Sequence, residues 1–246
     1  MTRIIVIEDE APIRERIVKA LSFEGYDALG AENGRAGLEL VREAEVDLII
    51  ADIMMPELDG LGLVSLLRSD PVTRLTPVIM LTALDERASQ RKFMEIGADD
   101  YITKPFDLSE LLGAVQAQLR KKEWRQEEPA QLDQEDVYEF GGWRYETDRR
   151  RLVSEDGAEQ FLTASEAQLL LALIERPKTV MKRETLFELL GRPASSPFDR
   201  TIDVLISRLR RKLEKDPKRP RFFVTVRNIG YIFDDEVEKR AVKQSA

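Results

Sequence analysis

Five residues in the first half of the chain could do chemistry together: Glu8, Asp9, Asp52, Thr82 and Lys104. Each position follows a short aliphatic run. IIVI precedes Glu8 and Asp9, VDLIIA precedes Asp52, PVIML precedes Thr82, and YIT precedes Lys104. In an open parallel sheet, ligands bind at the carboxyl ends of the strands, so if these runs are strands the five side chains converge. Three carboxylates at adjacent strand ends raise one another's pKa unless a cation sits among them. A hard divalent ion such as Mg2+ meets that need, taking carboxylates, a carbonyl and waters while leaving positions open for phosphate oxygens. The Thr82 hydroxyl and the Lys104 ammonium would then hold a phosphoryl group on Asp52. Taken singly, each residue has a plainer explanation, since Asp and Thr at strand ends are commonly caps and Tyr101 alone would be core. Their convergence at successive strand ends favours the phosphoryl site.

The elements that must bring them together are legible as a βα rhythm. Strands are predicted at 4–7, 26–30, 46–51, 77–82 and 101–103, with helices at 34–44, 60–69, 85–96 and 107–121 and a first helix opening at Pro12. Continuous apolar runs such as LII and VIML suit buried parallel strands, giving a (βα)5 unit with helices on both sheet faces. The chain has no cysteine and no histidine, which removes disulfides, thiolate and zinc chemistry and every imidazole-based catalyst. Any reaction must run on carboxylates, hydroxyls, amines and the main chain. No stretch approaches the ~20 apolar residues that cross a bilayer, Met1 leads directly into a strand-like run with no expected signal peptide, and the chain is expected to be cytoplasmic, with no membrane partner.

Charge divides the molecule. Residues 1–122 carry 15 Lys+Arg against 22 Asp+Glu, residues 123–136 carry 1 against 6, and residues 137–246 carry 22 against 18. Only the last part suits a polyanion. The acidic, apolar-poor segment 123–136 is predicted to be a linker between a domain at 1–122 and another at 137–234, with a polar tail at 235–246. After Val137 the pattern turns to short alternating strands, then a capping box at Thr163–Glu166 opens a helix that stops at Pro177. A short helix near 183–190, a longer one near 199–214 and a closing hairpin over 222–233 complete an α+β domain. On the longer helix Ile202, Leu205, Ile206, Leu209 and Leu213 form one arc. Arg200, Val204, Ser207, Arg208 and Arg211 form the opposite arc. That arc could be an ordinary solvated face. A small residue, a valine and arginines also suit a major groove, where Arg reads guanine and an apolar group meets the thymine methyl.

The motifs EDE, DIMMPELDG, LTA and DDYITKPF resemble the receiver domain of two-component response regulators over roughly the first 120 residues. The resemblance implies a doubly wound sheet in strand order 2-1-3-4-5 and makes Asp52 the phosphoacceptor. It implies that Asp9, Asp52 and the Met54 carbonyl bind Mg2+, with Glu8 acting through water. Thr82 would bond the phosphoryl group, Tyr101 would rotate in behind it, and Lys104 would pair with the phosphate across a cis bond to Pro105. The donor histidine would lie on a separate sensor kinase.

In the second half, LTASEAQLLLALIERP, FDRTIDVLISRLRRKLE and TVRNIGYIF resemble the winged-helix effector of the OmpR/PhoB family. That implies promoter DNA as a partner, read by Arg200, Thr201, Val204, Ser207 and Arg208. Arg210 and Arg211 would contact the backbone, and Arg227 with Thr225 would serve the wing. Asn228 stands where the family usually has glycine, and asparagine tolerates a left-handed turn. A homodimer on activation is implied, and RNA polymerase is a partner the family allows. The dimer face departs from the family pattern: Asp100 and Glu110 are present, but Ala114 and Gln90 replace basic residues. Three other readings stay open. A phosphatase resembling the haloacid dehalogenases would need an acid where Met54 stands. A receiver could signal without phosphate. The winged helix could dock on protein.

Overall fold

The computed structural model describes residues 1–83, 96–123, 134–191 and 201–243. The chain divides into two compact units, Met1–Arg120 and Lys121–Ala246, each built around its own core.

In the first unit, β1 (Arg3–Ile7), β2 (Asp27–Ala31), β3 (Leu48–Asp52), β4 (Val78–Ala83) and β5 (Asp100–Lys104) form a parallel sheet in the order β2-β1-β3-β4-β5. The order is the one the resemblance implied. Aliphatic runs make the central strands, and Ile4–Ile7 and Leu48–Ala51 are fully buried, as a sheet covered on both faces requires. Helices α1 (Ala11–Phe23), α2 (Gly34–Glu43), α3 (Gly60–Ser69) and α4 (Leu108–Glu123) are among the described elements. Most of the helix predicted at 85–96 lies outside the described residues, as does Gln90. Side-chain caps start α2 and α3. The Asn33 carboxamide accepts from the Ala36 N–H at 2.8 Å, and the Asp59 carboxylate accepts from the Gly62 N–H at 2.7 Å. Gly60 lets α3 start against the end of β3, because a Cβ there would stand 2.5 Å from the Asp52 carbonyl oxygen.

In the second unit, β6 (Gln134–Phe140), β7 (Trp143–Glu146), β8 (Arg151–Ser154) and β9 (Glu159–Phe161) form an antiparallel meander. It is followed by α5 (Ala164–Ile174), β10 (Met181–Lys182), α6 (Arg183–Leu189) and α7 (Thr201–Leu213). The hairpin β11 (Phe223–Val226) and β12 (Gly230–Phe233) pairs with β10 in a second, three-stranded sheet. Phe140 on β6 meets Phe233 on β12 edge to face at 5.2 Å between ring centroids, joining the two sheets through one aromatic core. Asn228 turns the hairpin at φ 60°, the left-handed conformation expected of it.

Two boundaries read from the sequence need correction. The segment 235–246 was expected to be a polar tail, yet Glu238–Lys243 forms β13, antiparallel to β6 from Glu238↔Glu139 to Lys243↔Gln134. The linker was expected to run to 136, yet β6 begins at Gln134. The two errors share a cause. An edge strand presents unpaired main-chain groups, and any nearby extended segment gains by pairing with them, however polar its side chains. Here charge reinforces the pairing, with Lys239 on Asp136 at 2.8 Å and Arg240 on Glu139 at 3.1 Å.

Candidate phosphoacceptor site and nucleic-acid interface

At the carboxyl end of the parallel sheet, Glu8, Asp9 and Asp52 bring ligand oxygens within 4.8 Å of one another. Asp52 ends β3 and is buried. One of its carboxylate oxygens accepts the Ile53 N–H at 2.7 Å and the other accepts the Lys104 ammonium at 3.0 Å. Lys104, from the end of β5, also pairs with the fully buried Glu8 at 2.7 Å, while Asp9 is exposed. The charge count is three acids to one ammonium. Burial raises the pKa of Glu8, and the Asp52 charge adds to that rise against the pull of Lys104. Burial alone would lower the Lys104 pKa, but its bonds to Glu8 and Asp52 outweigh burial and raise it. Thr82 is buried at the end of β4, where its hydroxyl donates to the Ala83 carbonyl at 3.2 Å, and Tyr101 on β5 is half-buried. The Lys104–Pro105 peptide bond is cis, and Met54 follows in the loop after β3 with its side chain exposed.

The basic helix is arranged differently from its sequence reading. Val204 and Arg208 were expected on an outward arc, and the resemblance set Thr201 beside them among the DNA-reading residues, but Val204, Arg208 and Thr201 are 6%, 5% and 2% exposed. Ser207 is half-buried and Arg211 exposed, while Arg200 lies outside the described residues. The physical reason sits on α5. Glu166, third residue of that helix, is fully buried and completes the capping box with Thr163. Its carboxylate takes Arg208 at 2.8 Å and Lys212 at 2.7 Å, so two cations one turn apart on α7 are drawn inward. Burial alone would raise the Glu166 pKa, but the Arg208 and Lys212 charges overcome it and hold the carboxyl at about 2. A helical wheel assumes one buried face. Here α5 and α6 both pack on α7, and the hairpin joins it through Tyr231 and Phe223.

Residues 4–116 match the family model for the response regulator receiver domain, and residues 157–233 match the model for the transcriptional regulatory protein C terminus. Over 95% of its length the chain is 34% identical to 95% of the transcriptional regulatory protein GltR of Pseudomonas aeruginosa. Over 97% of its length it is 34% identical to 92% of the regulatory protein VirG of Agrobacterium fabrum. The chain belongs to the OmpR/PhoB-type response regulators. A solved mutant of RitR shares the fold, with a TM-score of 0.73 over 95% of this chain and 99% of that one at 21% identity.

In this response regulator, Arg14 is a site residue that sequence reasoning passed over. Its guanidinium donates to the carbonyls of Glu8 at 2.6 Å and Asp9 at 3.2 Å, tying α1 to the acidic turn. An arginine in the first turns of the helix that follows paired acids was the available signal. The residues expected on a dimer face are placed as follows in a single chain. Glu110 is exposed, but Asp100 is buried and accepts the Tyr101 N–H at 2.6 Å, with the Gln118 amide at 3.5 Å from its other oxygen. Ala114 packs on the receiver core.

Proposed function

We propose that this response regulator is phosphorylated on Asp52 by a partner sensor histidine kinase, and that phosphorylation favours a homodimer that binds promoter DNA and controls transcription. The observation that carries this reading is the convergence of Glu8, Asp9 and Lys104 on the Asp52 carboxylate at the sheet's carboxyl end. One Asp52 oxygen attacks phosphorus as the bond to the donor imidazole breaks, leaving an acyl phosphate. Lys104 follows the charge from the carboxylate to the new phosphoryl oxygens. The Thr82 hydroxyl turns from its main-chain acceptor toward them, with Tyr101 moving in behind.

The donor set fits a hard cation, since three carboxylates with one ammonium among them leave an excess of negative charge. Asp9 and Asp52 would hold Mg2+ with the Met54 carbonyl, with Glu8 through water, and the ion would neutralise phosphoryl charge. For DNA, the exposed or half-exposed residues Ser207, Arg211, Thr225 and Arg227 support contact, with Arg200 completing the set. RNA polymerase is the partner through which a promoter-bound dimer would act, and the kinase and promoter together place this work in the cytoplasm.

The test is phosphorylation by acetyl phosphate with Mg2+, read by intact mass. Wild type should gain one phosphoryl group and Asp52→Asn none. An undiminished adduct on the variant overturns the assignment.

A further inference from the structure

Arg210 was expected to grip the DNA backbone, yet its guanidinium is turned toward the protein. Its Nε donates to the Phe223 carbonyl at 3.0 Å. Its Nη2 donates to that same carbonyl and to the Thr225 hydroxyl at 2.8 Å. Phe223 and Thr225 lie on β11, the first strand of the wing, and Thr225 faces Tyr231 across the hairpin. The Arg210 guanidinium lies 5.9 Å from the centre of the Tyr231 ring. Two turns earlier on α7, Asp203 accepts the Tyr231 hydroxyl and the Arg183 Nε at 3.0 Å. The wing is therefore fastened to the helix at two points on one stripe, Asp203 near the helix start and Arg210 near its end.

Just beyond the second fastening, the hairpin runs into Arg227, Asn228 and Ile229, all exposed. A two-stranded ribbon is compliant on its own, so the angle between wing and helix is set by what ties them. Two of the three Arg210 nitrogens are committed to that tie. Salt tells the two possible roles apart. A phosphate contact releases counterions and adds about one unit to the slope of log affinity against log salt. A brace inside the protein adds affinity through preorganisation and changes that slope only through the contacts it positions.

We propose that Arg210 is a positioning residue for DNA binding, holding the wing against α7 so that Arg227 reaches the duplex, and makes no phosphate contact of its own. The inference rests on the DNA-binding reading and deepens it. The full chain is titrated against a duplex selected from a random pool, at several salt concentrations. Arg210→Ala should weaken binding roughly tenfold, and when made in an Arg227→Ala background it should leave the salt slope unchanged, whereas Arg211→Ala, at an exposed position, should make the slope shallower by about one unit. Arg227→Ala should cost much less in the Arg210→Ala background than alone, because a displaced wing has already lost that contact. Arg210→Lys, which keeps one donor, should recover part of the affinity. A slope made shallower by about one further unit when Arg210→Ala is added to Arg227→Ala, or costs that add independently, overturns the proposal.

Hydrogen exchange of the unbound protein supplies a readout that needs no DNA. Amides of 223–233 should exchange faster in Arg210→Ala while those of α5 hold. Thr225→Val, a milder change, should do the same to a lesser degree. Unchanged wing exchange in both variants overturns the brace itself. If the wild type selects no duplex, the DNA-binding reading fails, while exchange still decides whether Arg210 holds the wing.

Discussion

Two buried carboxylates in this response regulator sit beside cations and behave in opposite ways. Glu8 shares one ammonium with Asp52, with Asp9 also close by, and its carboxyl is pushed up. Glu166 has two cations and a helix cap to itself, and its carboxyl is held at about 2. Burial is complete at both and acts in the same direction at both. The local charge count decides the outcome. A cluster with more acids than cations costs folding energy and is relieved by an added positive ion, which suits a binding site. A cluster with more cations than acids already has all the charge it needs, and it serves the fold. The same residue types therefore build the site proposed to be reactive in one unit and a structural clasp in the other.

The comparison breaks most easily at Glu166. Replacing it with Ala removes the cap and takes the Glu166 carboxylate away from the buried Arg208 and from Lys212, which should destabilise the second unit by about 3–5 kcal/mol. Urea unfolding followed by tryptophan fluorescence measures this, because Trp143 lies on β7 of that unit. A loss below about 1 kcal/mol would mean that the cluster contributes little to stability.

Acid tests the same clasp without mutation. The Glu166 carboxyl ionises at about 2 in the folded protein against 4.5 ordinarily, so the unfolded chain takes up its proton first as pH falls. The stability it contributes is fully present above pH 4.5 and is lost as pH drops toward about 2, amounting to on the order of 3 kcal/mol. Urea midpoints across that window should fall in the wild type and stay flatter in Glu166→Gln.

At Glu8 the expected sign reverses. Glu8→Gln keeps the shape and removes one of three crowded negative charges. Without divalent metal it should stabilise the first unit, by roughly 1 kcal/mol. It should also reduce the stabilisation that added Mg2+ brings through binding to the folded state. Hydrogen exchange of β1 and β3 amides, with and without Mg2+, reads both effects. Destabilisation in the metal-free protein would show that the Lys104–Glu8 pair outweighs the repulsion, and the charge-count rule would fail at this site.

These two clusters were not equally legible in the sequence. Glu8, Asp9, Asp52 and Lys104 follow aliphatic runs, and a parallel sheet places such strand ends together, so local pattern and topology alone predict their meeting. Thr163 and Glu166 were legible as a capping box for the same local reason. That Glu166 also gathers Arg208 and Lys212, more than forty residues away, was hidden. A helical wheel sorts residues by angle and knows nothing of which neighbours pack on the helix. Arg208 therefore read as a surface arginine. β13 was hidden for a related reason: Glu238, Lys239 and Arg240 look like a solvated tail, and only the open edge of β6 makes a strand of them.

A third cluster lies between these extremes and gives the smallest effect, one that is silent near neutral pH. Asp203 pairs with Arg183 at 3.0 Å and accepts the hydroxyl of Tyr231. Burial pushes the Tyr231 phenol up, and the bond to Asp203 adds to the shift, bringing it to about 12. Removing its proton would put a second negative charge against Asp203. The sign follows from linkage: the unfolded chain loses its phenol proton near 10 and the folded one near 12, so stability is unaffected below pH 10 and falls as pH rises between them. The difference in tyrosinate absorbance between wild type and Tyr231→Phe isolates this one phenol among the five tyrosines. Its midpoint should lie near 12. A midpoint near 10 would mean that Asp203 exerts no hold on the phenol, and the fastening of wing to helix at that end would then rest on Arg183 alone.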